Sequence, residues 1–349
     1  MWRNFQLYQK NVPHKILIPV IKANAYGHGA KEVLTFLYEK GITFFAVSLL
    51  EEALELKAVI KNIDILIMGA VLEDQFPLVS KHQLTMTLYD EDICYKALKS
   101  HLPLKCHIKI DTGMSRYGLR DQTQSVEVIE TLMEAKHIDL EGVYTHFATA
   151  DDDEVFYLKQ MHRFKSFVEK LKKRPRIIHA SNSSSIAKYE NQMLFTTHAR
   201  IGISLYGLSL DHLIKDIKPV MTLKTKIVQV KHLKPREYVG YGITYCATEE
   251  TYVGLIPIGY ADGFLRRNKH GDVLIHGKKY PLIGNICMDT SFIKIDSSIK
   301  KGDEVILFGS QALHTDIVAK RNESIHYEIV TSISYRVPRI YIKEGKMYD

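Results

Sequence analysis

Eight short apolar or β-branched runs, each followed by a stretch of helical pattern, most constrain how this chain can fold. They are Ile16 to Ile21, Thr43 to Val47, Ile65 to Met68, Leu84 to Leu88, Leu104 to Ile110, Leu140 to Thr145, Arg176 to His179 and Phe195 to Ile203. Between them lie segments such as Glu51 to Lys57 and Phe164 to Leu171, whose apolar positions recur at helical spacing. Strand alternating with helix eight times predicts a (β/α)8 barrel, which takes roughly 250 residues. The chain has 349 residues, enough for a second domain. After about residue 218 the period changes to two, as in Lys226 to Lys231, with turns at Lys234-Pro235-Arg236-Glu237 and His276-Gly277-Lys278. The expected fold is therefore α/β: a barrel over 1–218, then a mostly-β domain over 219–349, with the boundary near Asp216 to Pro219.

In such a barrel chemistry gathers at the C-terminal ends of the strands. The polar residues fall there: Lys22, Lys109 with Asp111, His146, Asn182 with Ser183, and Arg200. Lys22 ends the apolar run Ile16-Leu17-Ile18-Pro19-Val20-Ile21, where burial disfavours an ammonium and lowers its pKa toward that of a nucleophile or base. Such an amine suits a Schiff base. The residues after it, Ala23-Asn24-Ala25-Tyr26-Gly27-His28-Gly29, are small, then aromatic, with two glycines that let backbone amides approach a ligand. An aldehyde cofactor with a phosphate tail requires these parts. Gly27-His28-Gly29 alone is a weak dinucleotide signal, because it lacks the third glycine and the acidic residue of a Rossmann site.

Composition excludes several alternatives. Hydrophobic residues at 46% and charged residues at 25% match a globular protein without a disordered bias. No run approaches 18 apolar residues, and Ile16 to Ile21 is too short and too broken by Pro19 for the apolar region of a leader, so a membrane is not expected and the cytoplasm is. The net charge of +7 is spread rather than concentrated, and no recognition motif accompanies it, so nucleic acid is not expected as a partner. Cys94, Cys106, Cys246 and Cys287 are far apart, which suggests neither a zinc site nor a disulfide framework, and no metal is expected.

The run Val20-Ile21-Lys22-Ala23-Asn24-Ala25-Tyr26-Gly27-His28-Gly29 closely resembles the pyridoxal 5′-phosphate (PLP) signature of bacterial alanine racemases. The resemblance extends from about residue 4 to 341 over at least seven separated motifs. It implies a PLP-dependent isomerase that interconverts L- and D-alanine by a two-base mechanism, supplying D-alanine for peptidoglycan. Lys22 would bear the cofactor and serve one face of the substrate α-carbon. Tyr241, in Gly240-Tyr241-Gly242-Ile243-Thr244-Tyr245, would serve the other. A phenol near pKa 10 is a poor base at neutral pH, so His146 and Arg200 are implied behind it. Arg200 would also face the pyridine nitrogen, and a guanidinium has no proton to give up there. Arg116, in Lys109-Ile110-Asp111-Thr112-Gly113-Met114-Ser115-Arg116, would meet the cofactor oxygen and the substrate carboxylate, and Lys109 matches a position carbamylated in many racemases. Phosphate capture is implied for Tyr26, Ser183, the amides of Gly202 and Ile203, and Tyr335, with Asn182 beside them. The Met288 amide would bind the substrate carboxylate, and Tyr260 and Asp289 would line the entrance. Asn285 stands where an arginine is common.

The family's active site draws on both subunits of a homodimer, so two shared sites are implied here. Family members usually carry some fifteen to twenty more N-terminal residues, including a strand that pairs in the β domain; either the start is misassigned or shortened, or the β domain has an unpaired edge where that strand would lie. Three other readings are weighed. A noncatalytic PLP-binding barrel would lack the second domain. A basic amino-acid decarboxylase would want a carboxylate where Arg200 stands. A serine or broad-specificity racemase differs by a hydroxyl, which a hydrophobic pocket discriminates weakly.

Overall fold

The computed structural model describes residues 1–120, 123–209, 213–343 and 345–348. It divides into two compact units, Met1–Ala25 with Gly29–Lys218, and Tyr26–His28 with Pro219–Asp349.

In the first unit the strands are β1 (Ile16–Pro19), β2 (Phe44–Val47), β3 (Asp64–Ile67), β4 (Thr85–Leu88), β5 (Leu104–Lys109), β6 (Ile138–Tyr144), β7 (Ile177–His179) and β8 (His198–Ile201). All pairings are parallel, in the order β1-β8-β7-β6-β5-β4-β3-β2. A bridge between Val20 and Ala46 joins the two ends, with the Ile21 N–H donating to the Ala46 carbonyl at 2.9 Å. The helical segments are α1 (Trp2–Asn11), α2 (Lys22–Tyr26), α3 (Ala30–Tyr38), α4 (Leu50–Val59), α5 (Phe76–Lys81), α6 (Glu91–Ser100), α7 (Thr123–Glu134), α8 (Glu154–Lys170) and α9 (Ser183–Lys188). A nearly closed eight-stranded barrel results.

Two elements differ in extent from the sequence pattern. Helix α8 begins at Glu154, capped by Asp153, well before the apolar spacing from Phe164. Its buried face includes Gln160, whose carboxamide accepts from the Ala148 N–H at 2.8 Å and donates to Thr112, so a satisfied polar residue breaks the apolar stripe. Strand β8 is shorter than Phe195 to Ile203. Thr196 turns back on Met193 before it, and Gly202 turns the chain into a 3₁₀ segment, Ile203–Tyr206, after it.

Partners in a parallel register share a face of the sheet. The register Thr87↔His107↔Gly142 and Lys109↔Tyr144↔His179↔His198 therefore puts polar and aromatic residues on one face, with Arg200 two residues beyond His198. Contacts of the Phe44 ring with His107 and His198, at 6.3 and 6.2 Å, identify this face as the barrel interior. Met86, Cys106, Ile108, Val143, Ile178, Ala199 and Ile201 occupy the other face and are at most 1% exposed. The apolar seal lies beneath the helices. The lumen holds polar side chains beside apolar ones such as Phe44 and Ile18.

The second unit is built on an antiparallel sheet of β9 (Leu223–Lys226), β10 (Gln229–Leu233), β13 (Thr251–Ile256), β14 (Asp272–Ile275), β15 (Lys278–Ile283), β16 (Ser291–Ile295) and β17 (Glu304–Phe308). Its order is β10-β13-β16-β15-β14-β17-β9, and a small hairpin pairs β11 (Tyr238–Val239) with β12 (Tyr245–Cys246). The alternating run Lys226 to Lys231 is not one strand. Ile227 exchanges backbone bonds with Gly302 and Asp303 beside β17, while the next residue, Val228, donates to Leu255 of β13. The chain crosses between the two ends of the sheet order in two residues, so the sheet curls back on itself. Val239, Val253 and Ile283 form a buried core with Leu233, Tyr245, Leu255 and Phe292 packed against it. His276 and Gly277, both at positive φ, make the two-residue turn of the β14–β15 hairpin. Helices α10 (Thr315–Arg321) and α11 (His326–Thr331) complete the unit.

Among the described residues no helix is long and apolar enough to cross a membrane, and no group of three His, Cys, Asp or Glu is placed to hold a metal.

Candidate active site

Lys22 opens α2, and the backbone there is unusual. Ala23, Asn24 and Ala25 have φ of 50, 52 and 53° with ψ of 53, 48 and 50°, and Tyr26 follows at φ 52°. This is one turn of left-handed helix made from L-residues, at a cost of about 1–2 kcal/mol per residue. Hydrogen bonds hold it from both sides. Ala25 N–H donates to Ile21 at 3.0 Å and Gly29 N–H to the Asn24 carbonyl at 3.0 Å. The Asn24 side chain accepts from Ala30 N–H at 2.7 Å at the start of α3, and the Glu52 carboxylate accepts from Ala23 N–H at 2.5 Å. A strained segment held this tightly marks a functional position.

Several cationic groups surround Lys22. Burial lowers its pKa, and the guanidiniums of Arg116 and Arg200 lower it further against the opposing pull of Glu52. Lys109, on the lumen side of β5, is pushed down to about 8 by burial and then by the same two arginines. Its ammonium lies 5.5 and 5.9 Å from the centres of the Tyr117 and Tyr144 rings. Arg116 itself is exposed, on a loop organised by Asp111, whose carboxylate accepts from the N–H groups of Gly113 and Ser115 at 3.0 and 2.9 Å.

Arg200 is 3% exposed and anchored on every side. It donates to His179 Nδ1 at 2.6 Å, to the carbonyls of Thr145 and Ala180 at 2.9 Å, and to His146 Nδ1 at 3.3 Å. Its guanidinium also stacks 5.4 Å from the Tyr144 ring centre. Burial lowers its pKa to about 10, which leaves it charged at neutral pH. His146 is held well below its ordinary value by burial and then by Arg200, and is therefore neutral.

Ser183, at the start of α9, accepts from the Gly202 N–H at 3.2 Å. The Asn182 side chain is engaged as the cap of that helix, accepting from Ser185 N–H at 2.9 Å and from the Ser185 hydroxyl at 3.0 Å. Ser204 lies in the 3₁₀ turn after Gly202, 1% exposed, its hydroxyl without a hydrogen-bond partner among the described residues. The first N–H groups of that turn, beginning at Ile203, have no acceptor within it. Amides and hydroxyls are placed together here, a donor set suited to a phosphate. An amine, a fixed cationic donor and this set of neutral donors are groups that an aldehyde carrying a ring nitrogen and a phosphate would fit.

The remaining expected residues belong to the second unit. Tyr26 is 7% exposed, its ring 6.0 Å from that of Tyr327. A Cβ on Gly27 would lie 2.1 Å from the Val330 carbonyl oxygen, so only glycine fits after it. Tyr241 is 76% exposed in a 3₁₀ turn entered through Gly240 at φ 70°, and Asn285 donates to its carbonyl at 2.9 Å. Tyr335 is 92% and Met288 53% exposed, and Arg336 pairs with Asp289 at 2.7 Å.

The first unit thus gathers Lys22, Lys109, Arg116, His146 and Arg200 in one electrostatic neighbourhood, with Ser183 and Gly202 bonded to each other. The second presents Tyr241, Met288 and Tyr335 as exposed side chains. Sequence reasoning did not single out Glu52, Tyr144, His107 or His179. The alternation His107-Ile108-Lys109 and the histidine ending β7 carried a signal, because a polar residue at every second position of a barrel strand marks its lumen face.

The fold and these residues are those of a β/α-barrel enzyme joined to a β unit. The family profile described as "Alanine racemase, N-terminal domain" matches residues 1–210, and "Alanine racemase, C-terminal domain" matches 220–341. The alanine racemase of Geobacillus stearothermophilus is 37% identical over 345 residues, 95% of this chain and 88% of that protein. That of Listeria monocytogenes serotype 4a is 37% identical over 350 residues, covering 97 and 94%. Among solved structures, the Clostridium difficile 630 alanine racemase superposes with a TM-score of 0.93 at 35% identity, covering 99% of this chain and 95% of the other. The Bacillus anthracis alanine racemase with bound L-Ala-P gives 0.93 at 32%, covering 100 and 94%. The chain belongs to the alanine racemase family, isomerases that interconvert L- and D-alanine.

Proposed function

We propose that the chain racemises alanine in the cytoplasm with PLP as its cofactor, Lys22 and Tyr241 moving the α-proton on opposite faces, and two shared sites per homodimer. The observation that carries this reading is the Lys22 amine, set at the end of β1 by a left-handed turn and depressed in pKa by burial, Arg116 and Arg200. When bound, PLP supplies the carbonyl that takes up an amino group and the conjugated ring that accepts electron density as the Cα–H bond breaks.

Lys22, neutral for a larger fraction of the time than an exposed lysine, can take a proton at Nζ and return it. Tyr241 does the same at its phenolic oxygen from the other face. His146 accepts from Arg200 at Nδ1, which leaves the Nε2 hydrogen as a donor that can stabilise a phenolate. Arg200 would hold the ring nitrogen by donating to it; having no proton to surrender, it would keep that nitrogen unprotonated and so temper the electron demand of the ring. Tyr26, Asn182, Ser183, Tyr335 and the amides of Gly202 and Ile203 would hold the phosphate. Arg116 and the Met288 amide would hold the substrate carboxylate, for which the guanidinium fork is suited. Lys109, depressed to about 8, is neutral for a larger fraction of the time than an exposed lysine; that neutral amine would add carbon dioxide and release a proton, and the carbamate anion would brace Arg116. The L-Ala-P bound to the Bacillus anthracis enzyme supports alanine as the ligand.

The test is interconversion of D and L forms across a panel of amino acids, together with borohydride fixation of the cofactor. Racemisation led by alanine and a label on the Lys22 peptide are expected. A label on another lysine would overturn the assignment.

A further inference from the structure

Glu52 stands at the third position of α4, and its side chain serves three backbone donors. Oε2 accepts from Ser48 and Leu49 N–H at 2.9 and 3.1 Å, closing the connection from β2 into α4. Oε1 crosses to the neighbouring β1 connection and accepts from Ala23 N–H at 2.5 Å, one residue past Lys22. Ala23 opens the left-handed turn. An alanine has no side chain with which to stabilise that conformation, so at Ala23 the restraint from outside the segment is the Glu52 carboxylate, beside the local bonds made through Ile21, Asn24 and Gly29. The carboxylate also raises the Lys22 pKa against the lowering by Arg116 and Arg200, as Asp111 does for Lys109.

We propose that Glu52 is a positioning residue for Lys22, its carboxylate pinning the left-handed turn at Ala23 and so fixing the direction in which the lysine amine leaves the barrel. The inference rests on Lys22 being the cofactor-bearing amine. Glu52 does not touch substrate; it acts through the backbone of the next residue. Without it the Ala23 N–H loses its acceptor and the turn loses its link to α4. As a counter-charge it also favours the ammonium, so its removal lowers the pH at which Lys22 loses its proton.

The experiment compares the full chain with its E52Q and E52A forms by three readouts. Amide hydrogen exchange over residues 22–29 should rise about tenfold in E52A, the scale set by one lost hydrogen bond to a charged acceptor, with β5 and β6 unchanged. In cofactor-free protein, the pH midpoint for reductive methylation of Lys22 should fall by about half a unit or more in E52Q, which keeps an oxygen for Ala23 but not the charge. In PLP-loaded E52A, kcat should fall with little change in the KM for alanine. Exchange over 22–29 and a methylation midpoint that both match the parent would overturn the proposal. Exchange raised equally in β5 and β6 would also overturn it, by reducing Glu52 to general stability. Cofactor fixation on a different lysine in the parent chain would instead overturn the assignment of Lys22, independently of Glu52.

Discussion

Arg200 donates to Nδ1 of His179 at 2.6 Å, and this contact fixes the protonation of a histidine pair in the barrel lumen. A guanidinium only donates, so His179 must accept at Nδ1 and carry its hydrogen on Nε2. That hydrogen points to His107 Nδ1 at 3.0 Å, which leaves the His107 hydrogen on Nε2, 3.8 Å from the Glu141 carboxylate. A directional chain runs from the candidate site through the lumen. Its members are neutral because burial, reinforced by neighbouring cations, drives His179 well below its ordinary value and His107 to about 3.

Replacing His179 by Leu should remove the acceptor of Arg200 and the donor to His107 together. His107 is then left without its buried partner, at a cost of about 1–3 kcal/mol, while Arg200 keeps Thr145, Ala180 and His146. Urea unfolding of purified protein measures this. A loss below about 1 kcal/mol would show that the pair is not held by His179.

Gly142→Ala should be destabilising for a related reason, because a Cβ there would sit 2.8–2.9 Å from the His107 ring. Overpacking of this kind costs about 1–3 kcal/mol. The double variant with His107→Ala should recover most of the loss, and the same unfolding measurement reads it.

Acid should weaken the barrel through its buried histidines. His107 is held near 3 and His198 near 4, chiefly by burial, while in the unfolded chain both titrate near 6.5. Below that value the unfolded state binds protons that the folded state refuses, so stability falls with pH down to those depressed values. Between pH 6.5 and 5 each histidine accounts for up to about 2 kcal/mol. Urea midpoints at pH 7, 6 and 5 should descend accordingly, and His198→Gln should descend less.

Tyr241→Phe should suppress proton transfer on one α-face by about a hundredfold or more, the scale of a lost general base, and less on the other. Solvent-deuterium incorporation measured in each direction of racemisation distinguishes the faces. Equal small losses in both directions would reject the assignment of Tyr241.

Mixing Lys22→Ala protein with Tyr241→Phe protein should recover activity, because shared sites restore one intact pair in each mixed dimer. The measurement is racemisation after verified subunit exchange. No recovery would place both groups within one chain.

The sequence by itself determined the barrel. Eight runs such as Leu104 to Ile110 are sealed on their outer face by Cys106 and Ile108, and burial of alternate residues needs only the local pattern, which is why it was legible. It also marked Lys22, Lys109, His146 and Arg200, since each lies at or just after a strand end. Tertiary structure alone decided the rest. Nothing local announces that Ala23, Asn24 and Ala25 adopt a left-handed turn, because alanine disfavours it and the restraint arrives from Glu52, 29 residues away. Nor could strand patterns show that His107, His179 and Arg200 bond in series, since they come from three strands that only the register of the closed sheet brings side by side. The extra reach of α8 and the break at Ile227 have the same origin: a satisfied buried glutamine and a sheet that curls back on itself outweigh the periodicity of the segments that carry them.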